Sequence, residues 1–231
     1  MKYMIETPNK KNNGIDYSGL FITFEGPEGS GKSTQSKRIY DILNKEFETL
    51  APLTKEPGGP ESDLQSKIRQ LYFFNEEERS PEADLFLMLT DRALHQRFLL
   101  KNLVNGNIVI CDRYADSTRA YQGGGGGLDL NMIDAFNAIA TKGLEPDITF
   151  LVDASYETAM KRKKGDNLDY FEKKERDFHM RVRDMYHKIA IENPNRFIVV
   201  NGEPSIEVVS QEILKNVINH SAYQAYLKRK I

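Results

Sequence analysis

The stretch LFITFEGPEGSGKSTQ, residues 20–35, decides the fold. Its first six residues are an apolar run closed by Glu25, and its last residues open a helix-forming segment. Between them Gly26, Pro27, Glu28, Gly29, Ser30, Gly31, Lys32 and Ser33 follow the pattern GxxxxGK[ST]. Strand, glycine-rich turn and helix in that order are the context a phosphate-binding loop requires. The glycines let the backbone wrap closely enough to aim its N–H groups at phosphate oxygens, and the helix adds its positive end. Lys32 is expected to reach the terminal phosphates of ATP or GTP. The Ser33 hydroxyl is expected to help hold Mg²⁺, with Thr34 completing the nucleotide-contacting turn.

Working outward, further apolar runs recur at LAPLT (50–54), NIVICD (107–112), DITFLVD (147–153) and RFIVVN (196–201). They are short, continuous and mostly rich in Ile, Val and Phe, which suits strands buried on both faces. Amphipathic segments at about 33–46, 81–104, 130–142, 155–163, 172–192 and 205–219 alternate with them. The alternation predicts an α/β protein, a parallel sheet covered by helices on both faces. No linker or repeat divides the chain, so one domain is expected over 18–220. A loose polar extension is expected over 1–17, and a tail over 221–231 that is a short helix or a frayed end.

Composition restricts the partners. The 231 residues are 39% hydrophobic and 29% charged, and 32 basic side chains nearly balance 34 acidic ones. Such a field offers no general attraction to nucleic acid or to a membrane surface, so any anion site must be built locally. No apolar run approaches the roughly 20 residues of a spanning helix. The single cysteine, Cys111, ends an apolar run and reads as a small buried hydrophobe, in keeping with a reducing cytoplasm.

A phosphate loop leaves the reaction open. The run NIVICDRY ends in Asp112, where a carboxylate near a nucleotide-bound metal is expected, with Arg113 beside it. Both fall at the carboxyl end of a predicted strand, as do KEPGG (55–59) and the phosphate loop, and that edge is where open α/β sheets collect ligands. Cations and glycines meeting there suggest a second phosphate. A nucleoside monophosphate acceptor is already anionic and needs no general base, whereas a sugar hydroxyl would need a carboxylate, for which Glu25 is the candidate. Lys32, Arg92, Arg113 and Arg162 to Lys164 fit the phosphate acceptor better.

With FEGPEGSGKSTQ, TKEPGG, LTDRALH, DRYADSTRAYQG, GLEPDITFLVD and FHMRVRDMYHKIA in this order over about residues 20–200, the chain resembles the bacterial-type thymidylate kinases, P-loop nucleoside monophosphate kinases. The resemblance implies a P-loop NTPase fold with a five-stranded parallel sheet and a small mobile lid at about 161–172. It further implies transfer of the ATP γ-phosphate to dTMP with Mg²⁺, in a cytoplasmic homodimer. Glu28 then matches the loop acid near the acceptor's 3′-hydroxyl, and Arg162, Lys163 and Lys164 match the lid cations. Arg113 matches the arginine that grips the dTMP phosphate, Arg92 the one that bonds the thymine base, and Thr118 and Gln122 positions that contact it. Tyr121 matches the tyrosine against the sugar's 2′ carbon, and Pro57 the proline that shapes the pocket.

Four positions depart from the family pattern. Met88 stands where a phenylalanine stacks on thymine, with Phe73 or Phe86 as substitutes; Lys55 stands for an arginine; Tyr170 replaces a lid cation; and Gly126 replaces a frequent arginine. The run Gly123 to Gly127 has no lysine to complete a phosphate cradle and is expected to be a flexible connector beside the acceptor pocket. Two alternatives stand beside the monophosphate kinase: a deoxynucleoside kinase with a hydroxyl acceptor, and a nucleotide-binding relative weakened in turnover.

Overall fold

A computed structural model describes residues 10–12, 15–46, 50–60, 62–75, 77–164 and 169–230. A five-stranded, all-parallel sheet carries the fold: β3 (Leu20–Glu25), β4 (Leu53–Lys55), β5 (Ile108–Asp112), β6 (Ile148–Asp153) and β7 (Phe197–Asn201), in the order β4-β5-β3-β6-β7. A two-stranded hairpin, β1 (Lys10–Asn12) and β2 (Ile15–Tyr17), precedes it. Every residue of β3 is buried, because helices cover both faces of the sheet.

Alternation along β3 divides the core. Leu20, Ile22 and Phe24 pack with Ile39 and Leu43 of α1 (Lys32–Glu46) and with Ile213 and Val217 of α8 (Ile206–Asn219). Phe21, on the opposite face, packs with Val109 of β5 and with Leu99 and Leu103 of α3 (Pro81–Val104). Beside it Leu151 of β6 and Phe197 meet Val182, Tyr186 and Ile189 of α7 (Arg176–Glu192). Because the side-chain period of a strand is two, the residues on the α3 and α7 face continue as Thr23 and Glu25 toward the carboxyl edge. Thr23 meets Thr149 at 2.9 Å there.

The predicted strands and helices appear with small shifts. β4 begins at Leu53, later than expected, because Pro52 has no N–H; before it only the carbonyls of Leu50 and Pro52 pair, with Ile108 and Ile110. The helix starts carry side-chain caps: Ser80 ahead of Pro81 accepts from Ala83 N, and Ser155 opens α6 (Tyr156–Lys163) by accepting from Thr158 N. Three helical elements were not read from the sequence as such. They are α2 (Asp63–Phe74), a helical passage formed by α4 (Ala115–Thr118) and a π-helical turn over Arg119–Gly125, and α9 (Ser221–Lys230), left open as helix or frayed end. Exposed Leu64, Leu71 and Phe74 blur the apolar stripe of α2, which buries Ile68, Tyr72 and Phe73. The tail α9 is docked, with Tyr223 and Tyr226 in the same cluster as β3. The expected looseness of the amino-terminal extension is corrected at its end, where Tyr17 is buried against Phe21 and Leu103; residues 1–9, 13 and 14 lie outside the described residues.

The glycine run is the main correction to the sequence-based fold. Gly123, Gly124 and Gly125 belong to the π-helical turn, and α5 (Leu130–Thr141) and α7 close on them. A Cβ on Gly123 would lie 2.5 Å from Leu130 Cδ2, one on Gly124 2.6 Å from Met185 Cβ, and one on Gly125 2.5 Å from the Phe178 ring. These glycines are a close-packing surface, and the absence of side chains is what lets α7 approach.

Candidate active site

The phosphate loop joins β3 to α1 as expected. Gly26 has φ 144° and its missing Cβ would sit 2.3 Å from the Val152 carbonyl oxygen, so only glycine permits the loop to lie against β6. Lys32 starts α1 and is 4% exposed, with Nζ 3.4 Å from Pro27 O and 3.8 Å from Glu28. Burial and the neighbouring Arg113 push its pKa down, while Glu28 and Asp112 pull it back. Ser33 and Thr34 are exposed in the first turn of α1, whose unpaired N–H groups complete an anion site.

Across the carboxyl edge, Asp112 and Ser33 line one cavity with Lys55 and Gly58. The Oδ1 of Asp112 is buried there without a hydrogen-bond partner among the described residues. A hydroxyl and one carboxylate suit a hard cation that keeps water and phosphate oxygens as its other ligands. Among the described residues no cluster of three or more His, Cys, Asp or Glu could hold a metal by itself.

A second cleft opens on the α3 side. Glu28, Pro57, Met88, Arg92, Arg113, Thr118, Tyr121 and Gln122, the residues singled out from the sequence on the acceptor side, all line it. Arg113 has φ 71°, a conformation a side chain rarely adopts, and is 8% exposed. Its guanidinium donates to Gly26 O (3.0 Å), Ser117 Oγ (3.2 Å), Tyr186 Oη (3.1 Å), Tyr121 Oη (3.0 Å) and Glu28. Burial alone would raise the Glu28 carboxyl, but Arg113, then Lys32 and Lys163, outweigh it and hold it well below the usual carboxylate range. Glu28 thus sits ionised between the phosphate-loop lysine and the arginine of the cleft. The Tyr121 hydroxyl, read from sequence only as a steric ring, donates to Glu28 at 3.2 Å and belongs to this network.

Deeper in the cleft Arg92, 1% exposed, is held on four sides. It donates to Glu56 Oε2 (2.9 Å), Thr118 Oγ1 (2.8 Å), Asn137 Oδ1 (2.7 Å) and Tyr114 O (2.9 Å). A guanidinium has five N–H groups, so these four bonds leave one without a hydrogen-bond partner among the described residues. Gln122 donates to Tyr72 Oη at 2.9 Å, and its buried Oε1 has no partner among the described residues. One free donor and one free acceptor therefore sit on the walls of one pocket.

The thymidylate kinase family model matches residues 24–213. The chain belongs to the thymidylate kinase family. A thymidylate kinase of Dehalococcoides mccartyi is 45% identical over 200 residues, covering 86% of this chain and 95% of that protein. One of Desulfosudis oleivorans is 40% identical over 205 residues, covering 84% and 94%. The crystal structure of thymidylate kinase from Ehrlichia chaffeensis superposes with a TM-score of 0.72 at 33% identity, covering 87% of this chain and 98% of that one. The five-stranded sheet with helices on both faces is the P-loop NTPase fold of this family.

Several family expectations look different in place. Phe86 is 55% exposed and meets Phe136 on the outer surface, so it cannot substitute for the phenylalanine absent at Met88; Phe73 does line the cleft. The lid cations have separate settings. Arg162 donates to Ser30 O (3.2 Å) and Gly202 O (2.8 Å), bracing the phosphate loop against the turn after β7. Lys163 pairs with Glu172 at 2.6 Å and adds to the positive field on Glu28, and Lys164 is exposed. Residues 165–168 of the expected lid lie outside the described residues. Arg69 was missed: from α2 it donates to Pro57 O at 2.9 Å and stands 4.8 Å above the Phe73 ring, within the field of Asp112 and Glu28. Glu56 was also missed as the residue that orients Arg92, its other oxygen facing His95 Nδ1 at 2.9 Å. Neither could be inferred from spacing, because each acts through a partner on another element.

Glu25 is not aimed at an acceptor hydroxyl. It accepts from Tyr114 N (2.7 Å), Ser117 Oγ (2.6 Å) and Tyr186 Oη (3.0 Å), which fixes the turn that presents Arg113. Burial, then Asp116, pushes its carboxyl up to about 7 from 4.5, against the hydrogen bond from Ser117 and the charge of Arg113. A raised carboxyl pKa contributes stability at low pH that is lost as pH rises through the folded value. Relative to Glu25→Gln, the wild-type melting temperature is therefore expected to fall between pH 5 and 8, by the equivalent of up to about 3 kcal/mol. Melts whose difference is flat over that range would remove this assignment.

Proposed function

We propose that the chain transfers the γ-phosphoryl group of ATP to the 5′-phosphate of dTMP, giving ADP and dTDP for dTTP synthesis. The observation that carries this is Glu28, a half-buried carboxylate that, alone among the described residues, pairs with both Lys32 of the phosphate loop and Arg113 of the cleft. It joins two cationic sites closely enough for donor and acceptor phosphates to meet. The acceptor phosphate is itself the nucleophile, so the protein's contribution is positioning and charge stabilisation.

Lys32 and the loop N–H groups hold the donor phosphates, and Arg113, with Arg69 at the rim, holds the acceptor phosphate. Arg162 keeps the phosphate loop in place, while Lys163 and Lys164 bring positive charge toward the transferred group. Ser33 and Asp112 would hold Mg²⁺, which supplies charge neutralisation on the nucleotide phosphates. The free N–H of Arg92 and the free Oε1 of Gln122 complement a base edge with a carbonyl beside a ring N–H, as thymine has. Cytosine offers an amino group and a bare ring nitrogen there, mismatching both groups. Tyr121 packs where the sugar would sit.

Rates with Mg-ATP and dTMP, dUMP, dCMP, dGMP or thymidine, side by side, test this. The expected order is dTMP above dUMP, with dCMP lower by about 10²-fold or more, as expected for unpaired buried polar groups. ADP release with thymidine but not with dTMP would overturn the phosphate-acceptor mechanism in favour of a hydroxyl acceptor. Chelation of divalent metal is expected to abolish turnover and to be reversed by added Mg²⁺.

The homodimer belongs to the same proposal. Phe86 and Leu94 of α3 and Ile139 of α5 are exposed, and the Phe86 and Phe136 rings join the two helices into one apolar surface. No described helix is long and apolar enough to cross a membrane. The near balance of charge gives no general attraction to nucleic acid, and a cytoplasmic location is part of the same proposal.

A further inference from the structure

We infer that Phe171 supplies the aromatic surface on which the acceptor base packs, and is thereby a specificity-determining residue of the phosphorylation proposed above. The inference rests on the placement of the base beside Arg92 and Gln122. Met88 gives that part of the cleft a thioether, and Phe86 points away from it. Phe171 reaches the cleft from the segment that follows α6 and is 3% exposed. Its ring centre lies 4.7 Å from that of Tyr72, at 31°, and 5.8 Å from that of Tyr121, at 88°. It therefore stands between the tyrosine that holds Gln122 and the tyrosine that meets Arg113.

The flanking residues fix this placement. Tyr170 donates its N–H to Phe73 O at 3.0 Å, tying the segment to the end of α2. Its ring lies between the Arg79 guanidinium and Lys174 Nζ, each 4.3 Å from the ring centre, and Lys174 also donates to its hydroxyl at 3.1 Å. Arg79 is locked by the Tyr72 carbonyl (2.8 Å) and by Asp84 (2.8 Å). On the other side Asp169 Oδ1 accepts from the N–H groups of Phe171 and Glu172, both at 2.9 Å. Tyr170 thus works as a latch where a phosphate-facing cation was expected, and with it turned toward Arg79 and Lys174 the next side chain enters the cleft. Base selection and the donor-side cations then share one stretch of chain, since Glu172 pairs with Lys163.

The chain has no tryptophan, so Phe171→Trp carries a unique fluorophore. Saturating dTMP is expected to quench its emission by stacking, and ATP alone to leave it unchanged. An emission indifferent to dTMP in an active Phe171→Trp enzyme overturns the inference. In Phe171→Leu the KM for dTMP is expected to rise about tenfold, with the KM for ATP within twofold and the preference for dTMP over dUMP falling toward one. Tyr170→Ala is expected to show the same pattern more weakly, and Tyr170→Phe, which keeps the ring between its two cations, to restore it. Gln122→Leu separates the two levels. If it raises the dTMP KM while Phe171→Leu changes neither KM nor preference, Phe171 alone is excluded. If Gln122→Leu is silent as well, the base does not lie in this cleft and both assignments fall.

Discussion

Replacing Arg113 by alanine is expected to lower kcat for dTMP by about three orders of magnitude, the scale seen when a positioned cation is removed from phosphoryl transfer. Among the described residues, no other side chain touches Gly26 of the phosphate loop, Glu28, Tyr121 and Tyr186 together. Its removal would take the charge from the acceptor phosphate proposed to bind there, and would leave Glu28, whose side chain is only 13% exposed, with a lysine 3.8 Å away as its main counter-charge. Breaking a buried pair in this way costs about 3–5 kcal/mol, so a drop in melting temperature should accompany the loss of rate. The two effects separate in the double variant Arg113→Ala/Glu28→Gln, which should regain much of the stability and none of the turnover. Arg113→Lys should remain impaired, because a point charge cannot reproduce the fork of donors. Turnover of Arg113→Ala within tenfold of wild type would remove Arg113 from the mechanism.

The second large effect is structural. Gly124→Val is expected to destabilise the fold by about 3 kcal/mol, a fall in melting temperature on the order of 10 °C for a chain of this size. The added Cβ would meet Met185 Cβ at 2.6 Å and the Arg181 carbonyl oxygen at 2.9 Å, and the second contact is to backbone that cannot rotate away. Gly127 provides the contrast. Nothing lies within 4 Å of its missing Cβ, and only its φ of 78° resists substitution. Gly127→Ala should therefore cost about 1 kcal/mol. A flexible connector would give equally small changes at both positions, so thermal melts of the two variants decide between a packed turn and a slack loop. Because α7 also carries Tyr186, Gly124→Val should weaken the hold on Arg113 and raise the KM for dTMP.

How far the sequence could be read depended on how far away each residue's partners lie. The phosphate loop needed only contiguous residues, since a strand, three glycines and a helix start are local conformational choices. Strand and helix alternation was equally local, and the burial of every residue of β3 follows from its uninterrupted apolar run. The acceptor-side residues could be recognised because they recur at fixed spacings within TKEPGG, LTDRALH and DRYADSTRAYQG. What they do to one another could not. The bond of Arg92 to Glu56 spans 36 positions, and that of Arg113 to Glu28 spans 85.

By itself the sequence determined the sheet, its crossover helices, the phosphate loop and the identity of the residues at the carboxyl edge. Periodicity and backbone preference act over a few residues, and these features are built from such stretches. The tertiary structure alone decided that the glycine run is a packing surface, that Tyr121 belongs to a charge network, and that an aromatic ring lines the cleft of Arg92 and Arg113 from position 171. Each of these depends on which helix face closes on which. Gly124 meets Met185 of α7, and Phe171, just ahead of α7, meets Tyr72 of α2, although each pair is far apart in the chain. Close packing between segments that distant is a property of the assembled core, and no local pattern encodes it.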